Sequence, residues 1–167
     1  TDISLSASTI SEDAGSLIIG SFSTIDDQES SSFTYRLAPV EGTDHTSFNL
    51  NTATGQLSLK VQPDYEAKAS YSISVVSTDE GGKAYSKSFD IGISDANDTP
   101  TITSTSVTLS TEDSAYSYTF GASDVDSGDT VTYAATTLPS WLSFNAGSGV
   151  LSGTPTNSEV GTHSVVL

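Results

Sequence analysis

The sequence contains no cysteine, so neither disulfides nor thiolate metal sites are available to it. That suits a cytosolic chain, and equally the many bacterial surface proteins that are stabilised by bound metal instead. Basic residues are almost as scarce: five Lys and Arg stand against twenty-one Asp and Glu, for a net charge of -16. All five (Arg36, Lys60, Lys68, Lys83 and Lys87) precede residue 100, and the segment after it has acids only. Such a surface repels nucleic acid and anionic lipid, which argues against polyphosphate partners. There is no 18-residue apolar run for a membrane-crossing helix, and no signal-peptide pattern opens the chain.

The parts of common catalytic machinery are also missing. There is no glycine-rich phosphate loop and no nucleophile elbow. The two histidines, His45 and His163, lie in Thr/Ser-rich context with no carboxylate at triad or metal spacing, and read as surface or packing residues. Glycoside hydrolysis needs only two carboxyls, roughly 5–9.5 Å apart. But Asp clustered with Asn and turn residues reads as ligation, not as an acid kept protonated by an apolar pocket. The expectation is a protein that is not an enzyme.

What the sequence does contain is strand signal. Short β-branched, aromatic or alternating stretches recur between turns. Strands are expected at Ile3–Ala7, Ser16–Phe22, Phe33–Leu37, Phe48–Leu50, Gln56–Val61, Tyr71–Ser77 and Tyr85–Ser94. In Tyr71-Ser-Ile73-Ser-Val75 and Phe89-Asp-Ile91-Gly-Ile93 the alternation is strict, as a half-buried strand requires. Asn51-Thr-Ala-Thr-Gly55 and Asp79-Glu-Gly-Gly82 are the clearest turns. Seven strands in this span is the size of an immunoglobulin-like sandwich.

The pattern then begins again. Thr111-Glu-Asp-Ser-Ala115 repeats Ile10-Ser-Glu-Asp-Ala14, Val131-Thr-Tyr133 repeats Phe33-Thr-Tyr35, and Gly149-Val-Leu-Ser152 repeats Gly55-Gln-Leu-Ser58. The internal period implies an array of similar units. The expected fold is all-β: two tandem immunoglobulin-like Greek-key β-sandwiches, over residues 1–99 and 100–167. The second copy stops at His163-Ser-Val-Val-Leu167, within what was Tyr71–Val75 in the first, and is expected to be incomplete, truncated before its last strand. An incomplete sandwich has unpaired edges, so that unit is expected to be frayed, completed by a neighbouring chain, or simply cut short by the sequence boundary.

Between the copies lies Asp95-Ala-Asn-Asp-Thr-Pro100, with two carboxylates and an amide in four residues and further oxygens on the main-chain carbonyls. A hard cation that takes six to eight oxygens would suit it. So would an Asx-type turn. On these residues alone both readings stand.

Taken together, residues 1–100 resemble a cadherin repeat. The resemblance rests on four motifs in order: Glu12, Asp64-Tyr65-Glu66, Asp79-Glu80-Gly81-Gly82 and Asp95–Pro100. The second unit is similar to dystroglycan-type and putative-Ig cadherin-like domains, through Leu138-Pro-Ser-Trp-Leu-Ser-Phe144 and Gly149-Val-Leu-Ser-Gly-Thr-Pro155. Tandem units of both kinds are similar to those of large bacterial surface adhesins and of secreted polysaccharide-binding proteins.

The resemblance implies that acids of successive units converge on up to three calcium ions at their junction. By position, Glu12, Asp64 and Glu66 would come from unit one. Asp95, Asn97 and Asp98 would come from the linker, with Ala96 and Thr99 offering carbonyls. Asp124 and Asp126 would come from unit two. Without cations these seven carboxylates should repel one another by kcal/mol amounts, leaving the junction loose, whereas calcium should stiffen it.

Three departures from the family pattern stand out. The last aspartate expected in unit two would fall beyond Leu167, so within these residues a third calcium site is expected to lack a ligand. Unit one carries Asp26-Asp27-Gln28 where unit two carries Asp124-Val-Asp126, so Asp26 and Asp79 are weaker metal candidates. Unit two has Asn157-Ser-Glu159 in place of Asp-Tyr-Glu, which makes Glu112 a weaker candidate too. Asp129 reads as a turn residue.

The implied function is a calcium-rigidified tandem module of an extracellular cell-surface adhesin, acting in cell adhesion as spacer or interaction segment. The alternative is a calcium-dependent polysaccharide-binding or homophilic module of a secreted protein. Implied partners are neighbouring repeats of the same chain, with carbohydrate or another cadherin-like domain under the alternative. The parent would be membrane-associated, with no direct membrane insertion by these residues.

Trp141 reads as a core residue among Leu138, Leu142 and Phe144, whereas Tyr85, Tyr116 and Tyr118 would serve a sugar-binding surface if one exists. Asn97-Asp-Thr99 matches a glycosylation sequon, but ligand duty for Asn97 and the adjacent Pro100 weigh against a glycan. Thr101–Thr111 is threonine-rich like an ice-binding ladder, yet no regular repeat supports one.

Overall fold

In the computed structural model the described residues are 1–26 and 32–167. They form β-strands and two short 3-10 turns, with no α-helix among them. They divide into two compact units, Thr1–Ala96 and Asn97–Leu167.

Unit one contains β1 (Asp2–Leu5), β2 (Thr9–Ser11), β3 (Ile18–Ile25), β4 (Phe33–Leu37), β5 (Phe48–Leu50), β6 (Gln56–Leu59), β7 (Ser70–Asp79) and β8 (Ala84–Ser94). One sheet runs β1-β3-β6-β5 and the other β2-β8-β7-β4. All pairings are antiparallel except β2 with β8, which is parallel. Alternation along each strand turns one row of apolar side chains inward. Ile3, Phe22 and Leu57 from the first sheet meet Tyr35, Ile73 and Ile91 from the second in one core cluster. Each fully buried aliphatic of this kind contributes about 1.5–3 kcal/mol.

Two features differ from the expectation. The first strand, expected over Ile3–Ala7, is split. β1 pairs with β3 in one sheet and β2 with β8 in the other. The crossing is fixed at Ser6, which donates its N–H to the Ser21 carbonyl at 3.1 Å and accepts the Ser21 N–H on Oγ at 2.9 Å. It needs Gly20, since a Cβ there would sit 2.6 Å from Ser6 Oγ and 2.9 Å from the Ala7 nitrogen. Second, β7 is not half-buried: Ile73 through Ser77 are all buried, both faces being covered. Ser77 is accommodated by a 2.7 Å bond with Thr24, whose hydroxyl also bonds the Tyr35 phenol.

Unit two contains β9 (Thr101–Ile102), β10 (Tyr116–Thr119), β11 (Ala122–Ser123), β12 (Leu142–Asn145) and β13 (Val150–Gly153). β13 lies between β10 and β12 as β6 lies between β3 and β5, and β9 pairs with β11 much as β1 pairs with β3. The repeat extends to atomic detail. Asn51 Oδ1 accepts from the Ala53 and Thr54 N–H groups, and Asn145 Oδ1 from those of Gly147 and Ser148. Each turn ends in a positive-φ glycine, Gly55 (φ 70) and Gly149 (φ 68). The carbonyls of the two glycines accept from the Phe22 and Phe120 N–H groups at 2.9 and 2.8 Å.

A Cβ on Gly149 would meet the Phe120 carbonyl oxygen at 2.4 Å, in a backbone region that L side chains avoid. Gly149→Ala should therefore destabilise unit two by about 1–3 kcal/mol, read by denaturant unfolding on Trp141 fluorescence.

In unit one, burial works against the charge of Asp44, but the paired Lys68 ammonium and the Ser72 N–H, donating to Oδ2 at 2.9 Å, prevail and hold its carboxyl below the usual 3.8. A lowered folded pKa contributes stability above the unfolded pKa and loses it as pH falls through the folded one. Asp44→Asn should cost about 1 kcal/mol at neutral pH and progressively less as pH falls below about 4, measured by urea unfolding across pH.

Candidate metal centres

In unit one, Glu12 sits just past β2 and is buried at 6% exposure. A buried carboxylate must be hydrogen-bonded to be tolerated. Glu12 Oε2 accepts from the Tyr65 N–H at 2.6 Å, and Oε1 accepts from the Ala96 N–H at 2.7 Å. The Gln62 amide donates to the main-chain oxygens of Glu12 and Ala14. Asp64 opens the following turn, its Oδ1 accepting from Ala67 at 2.8 Å and its carbonyl from Lys68 at 2.9 Å. That turn projects Asp64 and Glu66 beside Glu12, and carboxylate oxygens of all three lie within 4.8 Å of one another. A carboxylate offers about four lone-pair sites, so the two bonds to Glu12 leave capacity for a cation.

Asp95 is exposed and Ala96, half-buried, gives its N–H to Glu12. Asn97 donates from Nδ2 to the Asp98 carbonyl at 2.8 Å. Asp98, Thr99 and Pro100 follow as the chain enters β9.

In unit two the loop after β11 carries Asp124, Asp126 and Asp129, whose carboxylate oxygens also lie within 4.8 Å of one another. Its turns are held by Asp126 N–H to Asp124 Oδ1 (3.1 Å) and Asp129 N–H to the Asp126 carbonyl (3.3 Å). Asp126 Oδ2 accepts from the Asp98 N–H at 2.7 Å. Its other oxygen, Oδ1, is buried and has no hydrogen-bond partner among the described residues. An unsatisfied buried polar atom costs about 1–3 kcal/mol, and more when charged. A carboxylate oxygen withdrawn from water without a donor, beside two more carboxylates, is the arrangement a hard cation would satisfy. The donor set, all oxygen with no His or Cys, suits calcium over zinc or copper.

Of the expected ligands, then, Glu12, Asp64 and Glu66 are brought together in unit one. Asp124 and Asp126 are brought together in unit two, with the Asp98 N–H on Asp126. Asp129, expected as a turn residue, makes the turn and also joins the acidic group. Asp26 accepts from the Thr1 hydroxyl at 2.9 Å, and Asp79 Oδ1 accepts from the Lys83 N–H at 2.8 Å in closing the β7–β8 hairpin. Both line a cleft of about 240 Å³ with Lys83. Asp27 and Gln28 lie outside the described residues.

Glu112 is exposed and joins no acidic group among the described residues. Glu159 is spent on its own 3-10 turn, where the Thr156 hydroxyl and N–H hold its carboxyl below the usual range. His45 bonds the Thr43 hydroxyl and His163 the Glu159 carbonyl. Tyr85 is exposed, but Tyr116 and Tyr118 are half-buried and, like Trp141, line a groove instead of presenting a platform.

The paired sheets of unit one and their partial repetition in unit two define an immunoglobulin-like, cadherin-like all-β fold. Residues 99–167 match the family model described as Putative Ig domain. Over 93% of its length the chain is similar to the extracellular cadherin domains 3–6 of protocadherin gamma B2, at 24% identity and TM-score 0.57, covering 39% of that structure. It is similar to human protocadherin-24 EC1-2 at 15% identity and TM-score 0.65, covering 95% of this chain and 82% of that one. It is similar to Drosophila N-cadherin EC1-4 at 17% identity and TM-score 0.60, covering 96% and 42%. The chain thus spans well under half of the protocadherin gamma B2 and N-cadherin structures, and at these identities the likeness establishes the fold. No curated protein matches the sequence significantly.

Glu12→Gln would turn an acceptor into a donor against one of two main-chain N–H groups. It should lower the stability of unit one by about 1–3 kcal/mol, seen as a shifted urea midpoint with an unchanged slope.

Proposed function

We propose that the chain is a calcium-binding tandem module of an extracellular adhesion protein, with residues 1–99 and 100–167 acting as successive domains. The observation that carries this reading is the buried Asp126 Oδ1, without a partner among the described residues, within a carboxylate group. Glu12, Asp64 and Glu66 would hold calcium in unit one, and Asp124 and Asp126 in unit two. Asp95, Asn97 and Asp98 would add side-chain oxygens, and Ala96 and Thr99 carbonyls. Up to three ions are envisaged. Bound calcium supplies only charge and coordination; the protein's part is to fix the oxygens in place and limit the number of geometries they adopt.

The role proposed is mechanical. Calcium neutralises like charges that otherwise repel and so stiffens the tandem, as a spacer or interaction segment of a bacterial surface adhesin. The resemblance of the ordered motifs to cadherin repeats supports the junctional arrangement, and the all-oxygen donor set supports the metal. The alternative role, calcium-dependent binding of polysaccharide or of another cadherin-like domain, draws on exposed Tyr85.

Extracellular modules bind calcium at about 0.1–1 mM, and a hundredfold excess over Kd stabilises by about 2.7 kcal/mol. Calcium added to chelator-treated protein should raise the melting temperature saturably in that range. Asp126→Asn, which keeps the acceptor for the Asp98 N–H, should weaken the response. Identical melting in calcium and in chelator would overturn the proposal.

A further inference from the structure

Two segments of unit one, Ser11–Ala14 and Gln62–Glu66, are tied to each other in both directions. From the first, the Glu12 side chain accepts the Tyr65 main-chain N–H at 2.6 Å. From the second, the Gln62 side-chain amide donates to the main-chain oxygens of Glu12 and Ala14, the latter at 3.3 Å. The residues joined stand 48 to 53 positions apart, so the tie belongs to the tertiary fold.

The surroundings of Gln62 favour this use of its amide. Pro63 follows it, is buried, and has no N–H to give. A residue before proline is held in extended backbone, which narrows the positions from which the Gln62 side chain can reach. The amide nitrogen carries two hydrogens, one for each carbonyl, whereas turning the amide oxygen towards them would set acceptor against acceptor. On the receiving side, Ala14 N–H donates to the Ser11 carbonyl at 3.1 Å and Asp13 N–H to Ser11 Oγ at 3.3 Å. Glu12 N–H donates to the Ser94 carbonyl at 3.2 Å. The Glu12 main chain is therefore held on its nitrogen by the end of β8 and on its oxygen by Gln62.

We infer that Gln62 is a positioning residue for the carboxylate group of Glu12, Asp64 and Glu66. It binds no ion itself, and it fixes the main chain from which the Glu12 carboxylate projects. It is not among the ligands that the cadherin resemblance implies. The inference rests on the proposal that these carboxylates hold calcium. Calcium affinity depends on how rigidly the oxygens are held as well as on their charge. Groups that hydrogen-bond a metal ligand from behind restrict its geometry, and their loss weakens metal binding by about 10–100-fold. Gln62 is exposed and acts through the main chain, so the lower end of that range is expected.

The test titrates calcium into the isotope-labelled whole chain and follows the Tyr65 and Ala96 amide resonances, whose N–H groups lie on the Glu12 carboxylate. Gln62→Met keeps the length of the side chain and removes the donor. Gln62→Asn keeps the amide and shortens its reach. Both should raise the calcium Kd read at these amides by about tenfold. Urea unfolding in chelator and in excess calcium separates positioning from a purely structural role. A structural role alone would lower stability equally in both conditions, with the Kd unchanged, whereas a positioning role lowers it further in calcium. A wild-type Kd in both variants would overturn the inference and leave the calcium reading standing. No movement of either amide with calcium in the unaltered chain would overturn the calcium reading of this group, and the inference with it.

Discussion

A single buried carboxylate organises the acidic end of unit one. Glu12 accepts main-chain N–H groups from residues 53 and 84 positions further along the chain. A charge can be withdrawn from water this far only if its lone pairs are met. Meeting them ties together the end of β2, the turn that carries Asp64 and Glu66, and the segment that leaves β8. The closeness of three carboxylates is thus a consequence of a bond network, not of chance on an acidic surface. Without Glu12, the turn carrying Asp64 and Glu66 would lose its main-chain tie to the end of β2.

The two units share a second constraint, the turn in which an asparagine side chain receives two N–H groups and a positive-φ glycine closes against a phenylalanine backbone. It occurs at Asn51–Gly55 and at Asn145–Gly149, each beside a tyrosine ring. The same local chemistry therefore builds the same sheet twice. The difference between the units lies in the other sheet, where β8 supplies the central pairing of unit one.

Much of this was legible in the sequence, and what was not has physical causes. β4 and β5 fall where the alternation placed them. The ordered acids located Glu12, Asp64 and Glu66 in one unit, and Asp124 and Asp126 in the other. The split of the first strand was hidden because β2 is three residues long and pairs in parallel with a strand more than eighty residues away. Only Gly20, next to the crossing, carries a trace of it. Burial of every residue from Ile73 through Ser77 of β7 is a result of tertiary packing, which period-two alternation does not encode. Asp129 reads as a turn residue because it is one, and its nearness to Asp124 and Asp126 is a result of that same turn. Tyr116 and Tyr118 look like surface aromatics by sequence, yet their strand turns them into the groove.

The role proposed for this chain is that of successive units in an extended extracellular array, with carboxylates grouped in each unit. Its central claim is that cations convert repulsion between carboxylates into stiffness. Small-angle scattering of the chain in millimolar calcium and in chelator measures this most directly. A longer and less flexible particle is expected with calcium, with a scattering profile that reverts on chelation. Superimposable profiles in the two conditions would contradict it.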